Sequence, residues 1–338
     1  MPQSILIVGC GCAGPTLATF LLLAPESDPA KLPHITIVER TPALLSAGQN
    51  IDVRGTGIEI IRKLGLEDKV RSSTTGEEGV LIVDDSNETW AVNAADKTGR
   101  VQTGTSDCEI LRGTLAAILY QRSQQVSDDV RRQGGQGIEY IFGDSIDALE
   151  QQGDTRLKDV AAYGSRGTEK QRALLREYFD HGEWECERLW REMDQADDFY
   201  YDMVAQVKLE KWHKGRVVLL GDAGYCASPF SGMGTTLALN GAYSLAGALV
   251  QSPNDVDAAF QSYEKSMRPL VEKAQKLPPG MPGLLHLDST WGILVLRCIL
   301  RAFFLSRIAI LSAMIFGPPA NDVKITQYGF RKPEGKLR

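Results

Sequence analysis

The segment Ser4-Ile5-Leu6-Ile7-Val8-Gly9-Cys10-Gly11-Cys12-Ala13-Gly14-Pro15 decides how this chain folds. Its four consecutive apolar residues form a run too short for a helix and predict a strand buried on both faces. The glycines that follow have separate tasks. Gly9 allows the tight turn out of the strand, Gly11 removes a side chain that would block a pyrophosphate, and Gly14 lets the next helix pack close to the sheet. Pro15 falls in the first helical turn, where its missing N–H costs nothing. A helix is expected from Thr16 to Leu23, followed by a second apolar strand, Ile35-Thr36-Ile37-Val38, that ends in Glu39. A carboxylate at that place can accept hydrogen bonds from the ribose hydroxyls of an adenosine. The stretch Pro25-Glu26-Ser27-Asp28-Pro29 reads as a loop insertion that lengthens the spacing from the glycines to Glu39. A βαβ nucleotide-binding unit is expected, and these residues leave open which nucleotide it takes.

Composition narrows the classes. A net charge of −6 with no basic run argues against nucleic acid and against an anionic membrane surface. The six cysteines are scattered without C-x-x-C spacing, and there are only four histidines, so reduced, buried thiols are expected and no metal centre. The chain enters a strand at once, without the charged and apolar regions of a signal peptide, which points to a reducing, cytoplasmic setting.

Further along, Gly48-Gln49-Asn50-Ile51-Asp52-Val53-Arg54-Gly55 is a polar, glycine-punctuated loop before an amphipathic helix, Gly57 to Leu64. Such a loop beside a nucleotide fold suits solvent contact or a lip over a bound cofactor. Between Gly79 and Thr103, three short strand-like pieces (80–83, 89–92 and 100–102) suggest part of an antiparallel sheet. Ile110-Leu111-Arg112 opens a helix reaching Tyr120; a cation at that end opposes the helix dipole and calls for an anionic partner or a solvated exit. Ile138 to Phe142 is another strand. A hairpin begins at Ile146 with its turn at 151–154 but is not obviously completed. Instead, a capping box at Thr168-Glu169-Lys170-Gln171 opens one helix, and Glu183 to Met193 predicts a second.

Arg216 to Leu220 predicts a buried strand that runs into Gly221-Asp222-Ala223, and later into Pro229-Phe230-Ser231-Gly232-Met233-Gly234 at the head of a small-residue helix. Asp222 can hold polyol hydroxyls, and free N–H groups near Gly232 to Thr235 can face an anion or a polarised carbonyl. After a helix at Asp257 to Lys276 and a Pro-Gly linker at 278–283, Trp291 to Phe316 is strongly apolar. Arg297, Arg301 and Arg307 interrupt it, each at about 2.5 to 3.5 kcal/mol if placed at a bilayer centre, so a helix pair packed on the body or in a homodimer is expected rather than a membrane span.

These residues together resemble the class A FAD-dependent monooxygenases, similar in fold to para-hydroxybenzoate hydroxylase, and in particular the branch of tetracycline-inactivating and fungal secondary-metabolite oxygenases. The resemblance rests on Gly9, Gly11, Gly14, Glu39-Arg40, 50–55, 110–112, Gly221-Asp222-Ala223, Pro229, Gly232 and Gly234, in family order over most of residues 1 to 270. It implies an α/β fold with a Rossmann-like FAD-binding domain of the glutathione-reductase type. That domain would be assembled from 1–75, 106–148 and 211–275, with a reduced antiparallel substrate domain at 76–105 and 149–210 and a C-terminal helical segment at 276–338. It further implies that Glu39, with Arg40 beside it, binds the adenosine ribose. Arg112 would lie by the pyrophosphate or ribityl chain, Asp222 would hold the ribityl or pyrophosphate region, the Pro229 to Gly234 loop would pass the isoalloxazine, and Arg54 would sit near the flavin. In that family NAD(P)H reduces the flavin, O₂ adds to give a C4a-hydroperoxide, and oxygen passes to a small organic substrate by hydroxylation or epoxidation. The distant Asp222 loop favours FAD, since only an extended cofactor needs both ends.

The chain departs from the family pattern in two ways. It has no Asp-Gly dipeptide, whereas the family carries one, tied to FAD and NAD(P)H, between the hairpin near Gln152 and the strand at Arg216. The intervening stretch is also much shorter than usual. In addition, Tyr225 stands where many relatives have histidine. The shortened middle supports an alternative, a degenerate or uncoupled FAD-binding protein. An NAD-dependent dehydrogenase ranks last, because it gives Asp222 nothing to do.

Overall fold

The computed structural model of the protein describes residues 4–45, 48–84, 86–94, 108–146, 149–151, 154–157, 168–179, 182, 184–197, 199, 201, 204–277, 283, 289–305 and 325–337. The opening segment folds as β1 (Ser4–Val8), α1 (Ala13–Leu22) and β2 (His34–Glu39), with β1 and β2 parallel in a register from Ser4 opposite His34 to Val8 opposite Val38. There follow β3 (Asn50–Asp52), α2 (Thr56–Lys63), α3 (Glu67–Arg71), the hairpin of β4 (Gly79–Val83) and β5 (Thr89–Ala94), β6 (Glu109–Leu111), α4 (Arg112–Arg132) and β7 (Ile138–Phe142). β7 lies parallel to β2, giving a sheet of order β1-β2-β7, while β3 and β6 pair antiparallel with Asp52 opposite Glu109.

Strand alternation decides which side chains meet the helices. Ile7, Ile35, Ile37 and Ile138 are buried on the face covered by α1 and α4, and Ile7 abuts the α1 backbone at Gly14. The opposite face is different: Leu6 is 53% and Val8 61% exposed. The expectation of a strand buried on both faces therefore fails. The apolar run is present, but among the described residues nothing covers its second side.

The chain continues through the hairpin β8 (Leu149–Gln151) and β9 (Asp154–Leu157), α5 (Thr168–Phe179), α6 (Cys186–Gln195), β10 (His213–Lys214), β11 (Val217–Val218), α7 (Asp222–Tyr225), α8 (Gly234–Gln251), α9 (Val256–Ala274) and α10 (Thr290–Leu305). The hairpin that the sequence left incomplete does close, with Leu149 opposite Leu157. The strand expected at Arg216 to Leu220 is shorter. Only Val217–Val218 is strand, paired with β10, and the Leu219 N–H donates to the Trp212 carbonyl at 2.7 Å, one further bond in the same register. The third piece of the first antiparallel sheet, Arg100 to Gln102, lies outside the described residues, as does the stretch 306–324 in which a second C-terminal helix was expected.

α8 packs on α1, α2 and α9, and its Leu237, Ala242, Tyr243 and Ala246 fill the centre of the core. α10 lies on β5, with the Arg297 guanidinium 5.1 Å from the Trp90 ring centre. No described helix is long and apolar enough to cross a membrane. The C-terminal segment is not helical throughout. Residues 325–337 run without helix or strand, and Ile325, Tyr328, Phe330 and Leu337 pack on the core, Phe330 5.0 Å from Phe20 and 5.3 Å from Tyr243 between ring centres.

Candidate functional site

The turn after β1 is built by backbone. Gly9 adopts φ +106°, a region open chiefly to glycine, and its N–H donates to the Val38 carbonyl at 2.8 Å, tying the turn to β2. A Cβ on Gly14 would stand 2.1 Å from the Gly9 oxygen, so only glycine allows α1 to start this close to the strand. A Cβ on Gly9 or Gly11 would meet nothing within 4 Å. The space over the turn is open, as a cradle for a pyrophosphate requires.

Glu39 closes the turn from the end of β2. Its Oε2 accepts the Cys10 N–H at 2.8 Å, and its Oε1 accepts the Thr41 N–H at 3.1 Å and the Thr41 hydroxyl at 2.9 Å. Burial pushes the carboxyl up, but these donors and the neighbouring Arg40 charge outweigh it and hold it below the ordinary range. Glu39 is thus an ionised acceptor at the mouth of the turn, while Arg40 is exposed.

The second motif comes up against the first. Gly221, at φ +66°, would place a Cβ 3.7 Å from Ala13 and 3.8 Å from Ala238, so this loop is pinched between α1 and α8. Asp222 follows immediately, and its Oδ1 lies 4.0 Å from where a Gly234 Cβ would project at the start of α8. Arg112 begins α4, its N–H donating to the Gln49 carbonyl at 3.2 Å and its side chain lying along Gly48. The charges of both Arg112 and Asp222 reach the Cys12 thiol, which burial pushes up to about 11. Gly9, Gly11, Gly14, Glu39, Arg112, Asp222 and Gly234 therefore surround the N-terminal end of α1.

Between Asp222 and α8, Pro229–Ser231 forms a single 3₁₀ turn that ends at Gly232 with φ +60°. Ser228 takes φ +75°, a strained setting for a residue with a side chain; its carbonyl accepts the Ser231 N–H at 3.1 Å and hydroxyl at 2.8 Å. Beneath this loop lies Arg54, 5% exposed, with its Nη2 2.7 Å from Asp52 Oδ2. A Gly232 Cβ would stand 3.8 Å from both Arg54 Nε and Asp52 Oδ2.

Asp52 has no marked role in the sequence, although a separation of two in an extended segment places it on the same side as Arg54. Thr236, whose hydroxyl lies 3.3 Å from both the Arg54 N–H nitrogen and the Arg54 carbonyl oxygen, leaves no local signal in the sequence. Tyr225 is turned away from the site. Its hydroxyl lies 2.8 Å from that of Tyr263, which also donates to the Leu219 carbonyl at 3.2 Å, so it is a core residue.

The family described as FAD binding domain matches residues 191–277. The chain is 31% identical to the FAD-dependent monooxygenase asL6 of Sarocladium schorii, over 87% of this chain and 90% of that protein. It is 28% identical to monooxygenase CTB7 of Cercospora beticola, over 97% and 98% of the two chains. That second alignment runs over 422 positions although this chain has 338 residues. Among solved structures, tetracycline destructase Tet(51) superimposes with a TM-score of 0.67 at 22% identity, covering 97% of this chain and 99% of that one, which establishes the fold.

Proposed function

The chain belongs to the FAD-dependent monooxygenases, and from that premise we propose that it uses NAD(P)H and O₂ to hydroxylate or epoxidise a small aromatic or polyketide-like substrate. The observation that carries this reading is the meeting, at the N-terminal end of α1, of the open Gly9–Gly11 turn, the ionised Glu39 and the Asp222–Gly234 edge. A dinucleotide seated on this turn would be held from both edges, and the family supplies FAD as that dinucleotide. Bound FAD would supply the acceptance of hydride and the activation of O₂.

The chain's own residues bind and orient. Glu39 offers its carboxylate to the ribose hydroxyls, the backbone N–H groups at the N-terminus of α1 and Arg112 face the pyrophosphate, and Asp222 takes the ribityl hydroxyls. Pro229 to Gly234, backed by Arg54, lines the flavin end, where the N-terminus of α8 favours developing negative charge. In this reading 1–75, 106–148 and 211–275 are the cofactor domain, and 76–105 with 149–210 are the substrate side. FAD titration of the purified protein, followed by oxygen uptake with NAD(P)H and a product heavier by one oxygen atom, tests it. A protein with no FAD affinity overturns it.

A second reading has its own support: a cofactor-binding but uncoupled form. Leu6 and Val8 stand exposed on a parallel sheet, a class of sheet that is normally covered on both faces. The 422-position alignment likewise requires positions at which this chain has no residue. We infer that the shortened part lies between β7 and β10. A flavin left open to water releases peroxide rather than transferring oxygen. NAD(P)H consumption that yields only hydrogen peroxide across a panel of aromatic substrates favours this form; stoichiometric product excludes it.

A further inference from the structure

We propose that Asp52 and Arg54 form a charge-compensated pair that sets the electrostatic environment of the flavin end of the cofactor, with Asp52 acting as the positioning residue for Arg54. This rests on the reading that the Pro229 to Gly234 loop lines that end.

The Arg54 side chain is 4% exposed, and a guanidinium so buried requires an anion in contact; Asp52, itself 18% exposed, supplies it at 2.7 Å. The pair is fixed in place from the side of α8. The Arg54 N–H donates to Thr236 Oγ1, and the Thr236 hydroxyl donates back to the Arg54 carbonyl, each at 3.3 Å. One turn further on, Asn240 Nδ2 donates to Thr56 Oγ1 at 2.9 Å. The corner between β3 and α2 is thereby bolted to the first turns of α8. The guanidinium and the positive end of the α8 dipole consequently act on the same loop, the one closed by Gly232. Other carboxylates surround the pair. Glu109 faces Asp52 across the β3–β6 register, and the charges of Glu109 and Asp52 reach Glu77, whose carboxyl is pushed up by burial. Asp52 contacts both the guanidinium and the space a Gly232 Cβ would enter.

A ring that gains negative charge on reduction is favoured by nearby fixed positive charge. Removing the charge of Asp52 leaves the Arg54 cation less compensated and favours the reduced cofactor; removing Arg54 does the reverse. A merely structural pair would weaken the protein in both variants without opposite effects on the flavin.

The experiment uses the full chain loaded with FAD, equilibrated against a reference dye, for the wild type, Asp52→Asn, Asp52→Glu, Arg54→Met and Arg54→Lys. FAD affinity is measured alongside by flavin fluorescence. The expected result is about a tenfold rise in the reduced-to-oxidised ratio for Asp52→Asn, about a tenfold fall for Arg54→Met, and values within about threefold of wild type for the two charge-conserving variants. Shifts in the same direction, or none, in variants that retain FAD overturn the proposal and leave the cofactor reading intact. If Asp52→Asn or Arg54→Met fails to hold FAD, the charge-conserving variants decide: a tenfold shift in either overturns the proposal. A wild type that binds no FAD overturns the functional reading itself.

Discussion

The Gly9 carbonyl oxygen occupies the place that a side chain on Gly14 would need, 2.1 Å from the position of its Cβ. The clash is with backbone, so it cannot be relieved by a rotamer change. Gly14→Ala is expected to displace α1 from the sheet and to lower the melting temperature of the FAD-free protein, with a cost of about 1 to 3 kcal/mol typical of forced overpacking. Gly11 has open space at the same test, so Gly11→Ala should leave that melting temperature unchanged while lowering FAD affinity at least about tenfold, or 1.4 kcal/mol. Thermal melts and FAD titrations on the two variants separate the structural glycine from the cofactor-facing one. Equal melting losses would contradict the distinction.

Glu39 makes a pH-dependent contribution. Its carboxyl titrates below the ordinary range in the folded protein, so the unfolded chain binds the proton first as pH falls. The stability it confers is complete above the unfolded value of about 4.3 and drains away as pH drops through the folded value. The melting-temperature gap between wild type and Glu39→Gln is therefore expected to be widest near neutral pH and to close below about pH 4. A gap independent of pH would mean that the hydrogen bonds from Cys10 and Thr41 do not favour the ionised form.

Arg331 joins the C-terminal strap to the end of α1. Its N–H donates to the Leu23 carbonyl at 2.8 Å, its Nη2 to Leu22 at 2.9 Å and its Nε to Ala24 at 3.2 Å. The Leu22 and Leu23 carbonyls are among those the end of α1 leaves without intrahelical partners, and they carry the negative end of its dipole. Arg331→Ala keeps the backbone bond and loses the two charged ones, for an expected destabilisation of about 1.5 to 3 kcal/mol in urea unfolding. FAD affinity is expected to stay unchanged.

What the sequence made legible was local. The positive φ at Gly9, the acceptor at the end of β2 and the glycine before Asp222 are each dictated within a few residues, and the structure brings all of them to one end of α1. The pairing of Thr236 with Arg54 spans 182 residues and leaves no local trace. The inward turn of Tyr225 is hidden for the same reason: its partner Tyr263 lies on α9, and only packing shows where the two hydroxyls meet. Tyr328 and Phe330 sit in a strap without periodicity, so nothing in the pattern foretold their place beside Phe20 and Tyr243. The one-sided sheet is hidden from the pattern for a related reason. Apolar alternation records which residues could be buried, and whether a second layer arrives to bury them is decided elsewhere in the chain.

That uncovered face gives the sharpest test of the shortened middle. Leu6 and Val8 lie on it at 53% and 61% exposure, so replacing both with threonine should cost no more than about 0.5 kcal/mol per site, as surface substitutions do. If a second layer covered them in solution, the loss would approach the roughly 2 to 5 kcal/mol of a truncated core leucine. An exposed apolar face also promotes self-association, so the double variant is expected to sediment as a smaller species than wild type at high concentration. Urea unfolding and sedimentation on the same samples read both effects. A cost of several kcal/mol per site would show that the sheet is covered after all, and would remove the structural support for the uncoupled reading.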